Sequence, residues 1–488
     1  MSSSIERGGP GAGPPTRRGG TGIFAVRPIT ALIEETGKEG QALKRTVGTM
    51  DLTALGLGAI IGTGIFVVIG KGAALAGPAL ILSFVLAGVT CVFSALCYAE
   101  LSAAIPVAGS AYTYAYATLG EIIAWIIGWD LILEYGVSVA AVAVGWGGNF
   151  NIFLHEAFGF RIPDALSTAR EEGGILNLPA VFIVLAVMLL LVRGAKESAR
   201  VNTIMVGVKL VVLAFFIIVA FANFKTGNLH PFNPHGRDGV VTAASIVFFA
   251  FIGFDAISTG SEETKNPGRS LPIAIIGALG IATFLYVLTS LGAVGLLPAD
   301  QLSKSDAPLA TALQKGAGIS WAAAVLAFGA LVSITSVILA VYYGQTRIFF
   351  SMARDGLMPT RLAKVHPRTG APVLITVAFG VLIAILAAVA PLGQIVELVN
   401  IGTLFAFVLV NIGVIVLRRT RPEMERPFKV PLVPYVPILG LLFTFYLMSK
   451  LPALTWVRFV VWLLLGLVIY ALYGYKHSRL RHGGTYSE

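Results

Sequence analysis

The sequence predicts an all-α integral membrane protein with twelve transmembrane helices, and three observations carry this prediction. Apolar residues make up 56% of the 488 residues and charged residues only 12%, about half the charged share of a soluble domain. The mean hydropathy is +0.84. Twelve apolar runs are long enough to cross a bilayer, and two of them are interrupted by glycine near their midpoints. We therefore expect most of the chain to lie within lipid.

The twelve predicted helices are numbered in chain order. They cover about 51–72, 79–104, 121–149, 178–193, 202–224, 241–260, 271–297, 320–350, 372–390, 394–417, 434–450 and 453–475. An even number places both termini on one side, and most of the 35 Lys and Arg residues flank the helices on that side. The distribution predicts cytoplasmic termini in a multi-pass plasma-membrane protein. The net charge of +10 does not indicate binding to nucleic acid, because the basic residues form no separate domain.

The spacing of the two interruptions predicts a repeat. Helices 1 and 6 are five helices apart, so residues 50–225 and 240–418 form two five-helix units, and an odd number makes the second unit inverted. Helices 11 and 12, residues 434–475, are then an addition. Residues 1–49 are expected to form a cytoplasmic tail with a short interfacial helix over 29–43, and residues 476–488 a C-terminal cytoplasmic tail.

The interruptions themselves point to a binding site. Helix 1 reads LTALGLGAIIGTGIFVVIG and helix 6 reads VTAASIVFFAFIGFDAISTG. A break at mid-membrane depth frees backbone N–H and C=O groups that lipid cannot satisfy, so it is tolerated where it lines a cavity. Interrupted helices in corresponding positions of two halves indicate the substrate site of a transporter.

Several motifs resemble a known family. GAIIGTGIF (58–66) and PVAGSAYTY (106–114) are similar to the helix 1 signature and the helix 2–3 loop of the amino acid–polyamine–organocation (APC) superfamily. FFAFIGFDAISTGSEETKNPGRSLP (248–272), MARDGLMP, VHPRTGAP and RPFKVPLVPYVPILG resemble the cationic amino acid transporter (CAT) family. The likeness covers about residues 45–475 and suggests a bacterial-type homologue. It implies a LeuT-like fold with discontinuous helices 1 and 6, and secondary transport of L-amino acids by alternating access.

An amino acid zwitterion needs one anion site and one cation site. Helix 1 runs outward, so its outer half begins after the break and presents the N–H groups of Gly62, Thr63 and Gly64 at a positive helix end. We expect these groups to bind the substrate carboxylate, and glycine to let the ligand reach the backbone. The alternative is that the glycines only permit close helix packing, as in small-xxx-small motifs.

The predicted cation site consists of carbonyl groups. Helix 6 runs inward, so its outer half ends at the break and exposes carbonyls that can accept hydrogen bonds from the substrate ammonium. The predicted acceptors are Phe249, Ala250 and Ile252, with Ile60 from helix 1. Asp255 is expected to cap the inner half of helix 6.

Lys209 stands alone in VGVKLVVLAFF, about 10 Å in from the cytoplasmic end of helix 5. An intramembrane charge is a functional hypothesis by default. In LeuT-like sodium symporters this part of helix 5 faces a sodium site, so the resemblance implies that the ammonium replaces sodium. A lysine held away from water can also lose and regain a proton. We predict proton coupling through Lys209, the alternative being a permanently charged strut to helix 1.

Glu134 is a second buried charge, about 18 Å into helix 3. Either it shares a proton path with Lys209, or it is a neutral carboxyl that hydrogen-bonds neighbouring helices. Asp130 lies one turn closer to the cytoplasm on the same face.

The expected side-chain pocket is apolar. If Ile338 of helix 8 and Val139 of helix 3 face the site, it suits small or medium neutral amino acids such as alanine; Thr335 and Ser336 are polar residues that could reach it instead. The family resemblance favours arginine or lysine, so a cationic amino acid carrier stays open. An amino acid exchanger stays open too.

Other classes find little support. The six histidines lie in predicted loops, no metal-ligand spacing or nucleophile motif is present, and Cys91 and Cys97 fit small buried side chains. We expect no cofactor, no metal and no enzymatic activity. A nutrient sensor would be expected to carry a soluble output domain, and a channel would be expected to have a continuous polar stripe along its helices. The expected partners are an L-amino acid, the proton and the lipid bilayer; the sequence does not say whether a small membrane subunit binds.

Overall fold

A computed structural model describes residues 22–36, 45, 47–169, 171, 173–193, 195–305, 307–364, 366 and 372–481, with the side chains of 34–36 and 195–200 left aside. Within this part the regular elements are helices, apart from one parallel bridge between Val47 and Thr264. Eight helices are long and apolar enough to cross a membrane: Thr49–Ala104, Glu121–Phe158, Val201–Ala222, Gly236–Glu263, Pro267–Leu296, Ser320–Arg354, Leu392–Thr420 and Ala453–His477.

Each of the twelve predicted segments contains a helix in the structure. The uninterrupted ones are helix 2 (Leu80–Ala104), helix 3 (Glu121–Phe158), helix 4 (Leu178–Arg193), helix 5 (Ala195–Ala222), helix 7 (Pro267–Leu296), helix 8 (Ser320–Arg354), helix 9 (Val373–Val389), helix 10 (Leu392–Thr420), helix 11 (Tyr435–Met448) and helix 12 (Ala453–Ile469). Helices 4, 9 and 11 are the shorter apolar ones. The all-helical membrane class is confirmed, while twelve spans and the inverted repeat stay predictions.

Helices 1 and 6 are interrupted where the sequence places the breaks. Helix 1 consists of Thr49–Ile60, a π-helical turn Gly64–Val68 and Ile69–Ala76, with extended backbone at Ile61. Helix 6 consists of Gly236–Val247, a 3₁₀ turn Phe248–Phe251 and a ten-residue 3₁₀-helix Phe254–Glu263. Non-α turns of this kind are enriched at hinges and functional sites.

The residues around both breaks are buried, and helices 2, 7 and 8 contact the inner part of helix 6, Phe254–Glu263. Helix 3 packs along helices 8 and 10, and helix 7 packs against helix 2 and the first part of helix 1. Helix 12 lies at the periphery, where Leu464, Leu465 and Val468 are each more than half exposed. An apolar surface of this kind is suited to lipid.

The N-terminal segment differs from a free tail where the structure describes it. Arg27 is 3% exposed and forms an ion pair with Asp355 at the end of helix 8. The carbonyl of Ala25 accepts a hydrogen bond of 3.0 Å from the N–H of Glu121, the first residue of helix 3. The predicted interfacial helix spans Ile29–Thr36, and its predicted continuation over 37–43 lies outside the described residues.

Candidate functional site

The two breaks lie against each other. A Cβ atom added to Gly64 would fall 2.2 Å from the Cα of Ala250, so the outer half of helix 1 touches the backbone of helix 6 directly. On the other side, Gly253 adopts φ +115°, and its Cβ position lies 2.9 Å from the backbone of Ala59. These contacts require glycine for space and, at Gly253, for conformation. The glycines thus permit close packing of the two helices, which brings the peptide groups of both breaks together, and substrate binding by those groups stays a prediction.

The predicted carboxylate-binding groups lie at the start of the outer half of helix 1. The N–H groups of Ile65 and Phe66 both donate to the carbonyl of Gly62 at 3.1 Å. Among the backbone hydrogen bonds of turns, loops and caps in the described part of the chain, none uses the N–H groups of Gly62 or Thr63. The Thr63 hydroxyl lies 3.4 Å from the Val142 carbonyl of helix 3. The turn thus presents N–H donors at a positive helix end, which is suited to an anion.

The predicted ammonium acceptors have an internal partner that the sequence did not suggest. The hydroxyl of Tyr286, on helix 7, lies 2.8 Å from the carbonyl oxygens of both Ile60 and Ala250. One O–H supplies a single proton to two acceptors. The carbonyl of Phe249 accepts from the N–H of Ile252 at 3.3 Å. Tyr286 therefore occupies the place that a bound ammonium is expected to take.

Helix 8 supplies apolar side chains to the same place. A Cβ on Gly62 would lie 2.4 Å from a methyl group of Val337. Ile338, the predicted pocket residue, is fully buried, and the contact with the break comes from its neighbour Val337. Thr335 accepts a hydrogen bond of 3.0 Å from Trp146, whereas the Ser336 hydroxyl lies 3.1 Å from the Gly58 carbonyl. Of the two polar residues, Ser336 is thus the one that reaches helix 1.

Lys209 is fully buried and contacts helix 1 just before its break. Its ammonium nitrogen lies 2.8 Å from the carbonyl oxygen of Ile61, 2.9 Å from that of Gly58 and 3.4 Å from that of Leu57. Three N–H donors thus face three carbonyls at the negative end of a helix. The arrangement suits a charged amine without a carboxylate partner.

Asn202 makes a second contact from helix 5, one that the sequence did not single out. A Cβ on Gly58 would lie 2.7 Å from the side-chain nitrogen of Asn202, which is 5% exposed. Asn202 and Lys209 are seven residues apart, so they share one helical face. This shared face is the sequence signal that could have pointed to Asn202. The signal is weak, because asparagine near the start of a helix commonly acts as a cap.

Glu134 lies against helix 10, whereas Lys209 lies against helix 1. Helix 3 presents Asp130 and Glu134 to helix 10, where a Cβ on Gly402 would lie 2.9 Å from an Asp130 carboxyl oxygen and 3.8 Å from the Cβ of Glu134. Both side chains are at most 1% exposed. Both oxygens of Asp130 and one of Glu134 have no hydrogen-bond partner among the described residues. The contacts of Lys209 are with helix 1, so the structure does not bring the two predicted proton carriers together.

The Asp255 side chain lies near Glu134 and does not cap its helix as expected. The residue before the 3₁₀-helix is Gly253, and the Asp255 carboxylate accepts a hydrogen bond from the Tyr135 hydroxyl of helix 3. Its other oxygen is without a partner in the described part. The described residues contain no group of His, Cys, Asp and Glu that could hold a metal ion.

The residues around the breaks are closed off from solvent. Among the predicted substrate residues with side chains, Ile252 is the most exposed at 7% and Ile338 is at 0%. Gly62 and Gly64 are buried as well. A ligand therefore reaches this place only after helices move.

Comparison with known proteins identifies the family. The model of the amino acid permease family matches residues 47–475. The chain belongs to the amino acid permease family. The predicted membership of the APC superfamily is thereby confirmed, and the chain is a multi-pass membrane transporter of amino acids rather than an enzyme.

The relatives of this permease differ in their named substrates. It is 50% identical over 462 residues to the branched-chain amino acid permease of Bacillus subtilis, covering 94% of this chain and 99% of the relative. It is 45% identical over 461 residues, with the same coverage, to the methylthioribose transporter of that organism. It is 39% identical over 388 residues to the vacuolar cationic amino acid transporter 4 of Arabidopsis thaliana, covering 78% of this chain and 64% of the relative.

Proposed function

We propose that this permease carries neutral L-amino acids across the plasma membrane, together with a proton and without sodium, by alternating access. The observation that carries the proposal is the direct contact of the two interrupted helices at Gly64 and Ala250. There the N–H groups at the start of the outer half of helix 1 face the carboxylate, and the carbonyls of Ile60 and Ala250 face the ammonium. Tyr286 holds those carbonyls while the site is empty.

Substrate entry then exchanges one donor for another. The ammonium displaces the Tyr286 hydroxyl from one or both carbonyls, each of which lies 2.8 Å from that hydroxyl in this structure. Because a buried carbonyl is costly to leave unpaired, the tyrosine lowers the cost of the empty site. The proposed binding set is Ile60, Gly62, Thr63, Gly64, Phe249, Ala250, Ile252 and Ile338, together with Tyr286 and Val337.

Lys209 is the proposed coupling residue. Protonated, it binds the carbonyls of Gly58 and Ile61 and holds the end of the inner half of helix 1. A neutral amine keeps only two N–H donors for three carbonyls, so loss of the proton loosens that contact. Because the amine takes up the role of a cation at this helix end, transport needs no sodium.

Glu134 is the proposed second proton carrier. A buried carboxylate that lacks a basic partner is expensive in a membrane interior, so the side chain alternates between a neutral form and a transient charged one. Its proton moves independently of Lys209, since the structure places the two side chains in separate contacts.

The proposed substrate range is neutral and aliphatic, and includes alanine and the branched-chain amino acids. Val337 packs against Gly62 with apolar atoms, and a permease named for branched-chain amino acids is 50% identical. The cationic alternative rests on the likeness to the plant cationic amino acid transporter. An amino acid exchanger is the other alternative.

Uptake into proteoliposomes tests the proposal. Labelled leucine, alanine and arginine are offered with a proton gradient, a sodium gradient or neither, and unlabelled methylthioribose is added as a competitor. We expect leucine and alanine to accumulate only with the proton gradient. Accumulation that follows sodium contradicts the coupling, arginine uptake alone contradicts the substrate range, and uptake that requires a trapped internal amino acid identifies an exchanger.

A further inference from the structure

A cavity lies where helix 7 begins. It has a volume of about 600 Å³ and is lined by the start of helix 7 and by Pro427 and Phe428 of the loop between helices 10 and 11. A Cβ on Gly268 would lie 2.8 Å from the ring of Pro427, so glycine lets the loop close against the helix and form the wall. By the distribution of basic residues, this end of helix 7 faces the cytoplasm.

The polar side chains of this cavity are exposed and have no partner among the described residues. Arg269 supplies the one charged side chain of the lining, and the lining contains no acid. Arg269 and Asn266 make no side-chain hydrogen bond or ion pair within the described part of the chain. Asn266 precedes the first turn of helix 7 without capping it. A guanidinium, an amide and the positive end of a thirty-residue helix therefore meet at one opening.

An open apolar groove continues from the cavity along helix 7. Ile273, which lines the cavity, is 48% exposed, and Ile281 and Phe284 are 43% and 64% exposed. These residues follow one another at helical spacing. Gly277 and Gly280 lie in the same stripe, and a Cβ at either position would meet nothing within 4 Å. The two glycines thus leave a shallow channel in a surface that faces the membrane interior.

We propose that this cavity binds an anionic phospholipid of the cytoplasmic leaflet. The phosphate lies against Arg269 and Asn266, and one acyl chain follows the channel past Gly277 and Gly280. The inner leaflet supplies anionic lipids at this depth. Hydrogen-bond donors at the cavity, followed by an open apolar channel along helix 7, match a phospholipid better than a soluble phosphate. Helix 7 also carries Tyr286, so the lipid braces the helix that closes the empty substrate site.

Lipid titration of the purified full-length permease tests the headgroup site. Phosphatidylglycerol and phosphatidylcholine with identical acyl chains are titrated in detergent, and bound lipids are counted by native mass spectrometry. We expect one phosphatidylglycerol to bind more tightly than phosphatidylcholine. Arg269→Gln should weaken phosphatidylglycerol binding about fivefold, the effect of removing one cation near a membrane surface. Arg361→Gln, which removes another exposed basic residue, is the matched control and should change nothing.

A second variant tests the acyl-chain channel. Gly280→Leu fills the channel and should weaken the binding of that phosphatidylglycerol further. Gly207→Leu is its control, since Gly207 on helix 5 is also exposed with nothing within 4 Å of its Cβ position. Unchanged binding in both Arg269→Gln and Gly280→Leu overturns the proposal. Displacement of the lipid by millimolar glycerol phosphate, or an effect of Arg269→Gln with none of Gly280→Leu, overturns the lipid assignment in favour of a soluble phosphate.

Discussion

The ammonium nitrogen of Lys209 lies 2.8 Å from the carbonyl oxygen of Ile61, at the point where helix 1 leaves its helical path. The amine comes from helix 5 and is completely buried. Carbonyls at a helix end carry partial negative charge, and a break adds groups that have no partner within the helix. One side chain of helix 5 thus satisfies the end of the inner half of helix 1, directly beside the predicted carboxylate site.

Replacing Lys209 by arginine tests whether the residue carries a proton or is a permanently charged contact to helix 1. A guanidinium keeps the charge and the N–H donors but does not release its proton under physiological conditions. We therefore expect Lys209→Arg to retain exchange of internal for external amino acid and to lose accumulation driven by a proton gradient. The measurement is counterflow and gradient-driven uptake of leucine in the same proteoliposomes.

Two further variants complete this test. Lys209→Ala removes the donors as well, so we expect it to lose exchange in addition to accumulation. Lys364→Arg changes an exposed lysine and serves as the matched control. If Lys209→Arg accumulates leucine as the wild type does, the residue is a strut, and coupling through its proton is wrong.

Replacing Tyr286 by phenylalanine should destabilise the empty site and leave the filled site little changed. The variant removes the one donor shared by the carbonyls of Ile60 and Ala250. An unpaired buried carbonyl costs about 1–3 kcal/mol, whereas a bound ammonium supplies new donors. We expect a lower melting temperature without substrate and a larger stabilisation by saturating leucine than in the wild type, measured by thermal unfolding in detergent.

The control for this experiment is Tyr435→Phe, because Tyr435 is 69% exposed. It should leave both melting temperatures where they are in the wild type. Equal stabilisation by leucine in Tyr286→Phe and in the wild type would show that the substrate ammonium does not use these carbonyls.

Gly64→Ala should abolish transport through a clash at the crossing of the two breaks. The new methyl group would lie 2.2 Å from the Cα of Ala250, which is backbone and cannot rotate away. Overpacking of a tight contact costs about 1–3 kcal/mol or forces the helices apart. We expect little leucine uptake by a protein that still elutes as a single species on size exclusion.

Gly207→Ala is the matched control, because its Cβ position on helix 5 meets nothing within 4 Å. It should transport as the wild type does. Full activity of Gly64→Ala would mean that the contact between the two breaks is looser during transport than in this structure.

The sequence predicts the positions of the helices and of both breaks well, because these depend on local properties. A run of apolar residues specifies a helix within lipid whatever surrounds it, and glycine marks the places where helices 1 and 6 stop being regular. The short 3₁₀ and π turns beside the breaks have no such signal, since they result from how the two helices meet.

The partners of the site are less predictable because they depend on which faces of distant helices touch. The buried charge of Lys209 stands out in the sequence itself. Tyr286 resembles any aromatic residue of a membrane helix until helix 7 is placed beside the break. Which of Val337 and Ile338 faces the break likewise depends on how helix 8 is rotated about its axis, because neighbouring residues of a helix point about 100° apart.

The carboxylate of Glu121 should hold the start of helix 3 to the last described residues of the chain. It is fully buried at the first turn of helix 3 and accepts hydrogen bonds from Tyr116 at 3.0 Å, Tyr470 at 2.7 Å and the hydroxyl of Ser478. It also pairs with Arg481 at 2.9 Å. Breaking a buried pair by removing one partner costs about 3–5 kcal/mol, since the other charge stays without compensation.

A double-mutant cycle of Glu121→Gln and Arg481→Gln measures this pair by thermal unfolding. We expect Glu121→Gln to lower the melting temperature strongly and the second substitution to restore part of the loss. The exposed pair of Arg161 and Asp164, 3.6 Å apart with side chains 62% and 67% exposed, is the internal comparison. Exposed pairs contribute about 0–1 kcal/mol. If the coupling at Glu121 is no larger than in that exposed pair, its burial gives it no special role, and the C-terminal end is held to helix 3 by packing instead.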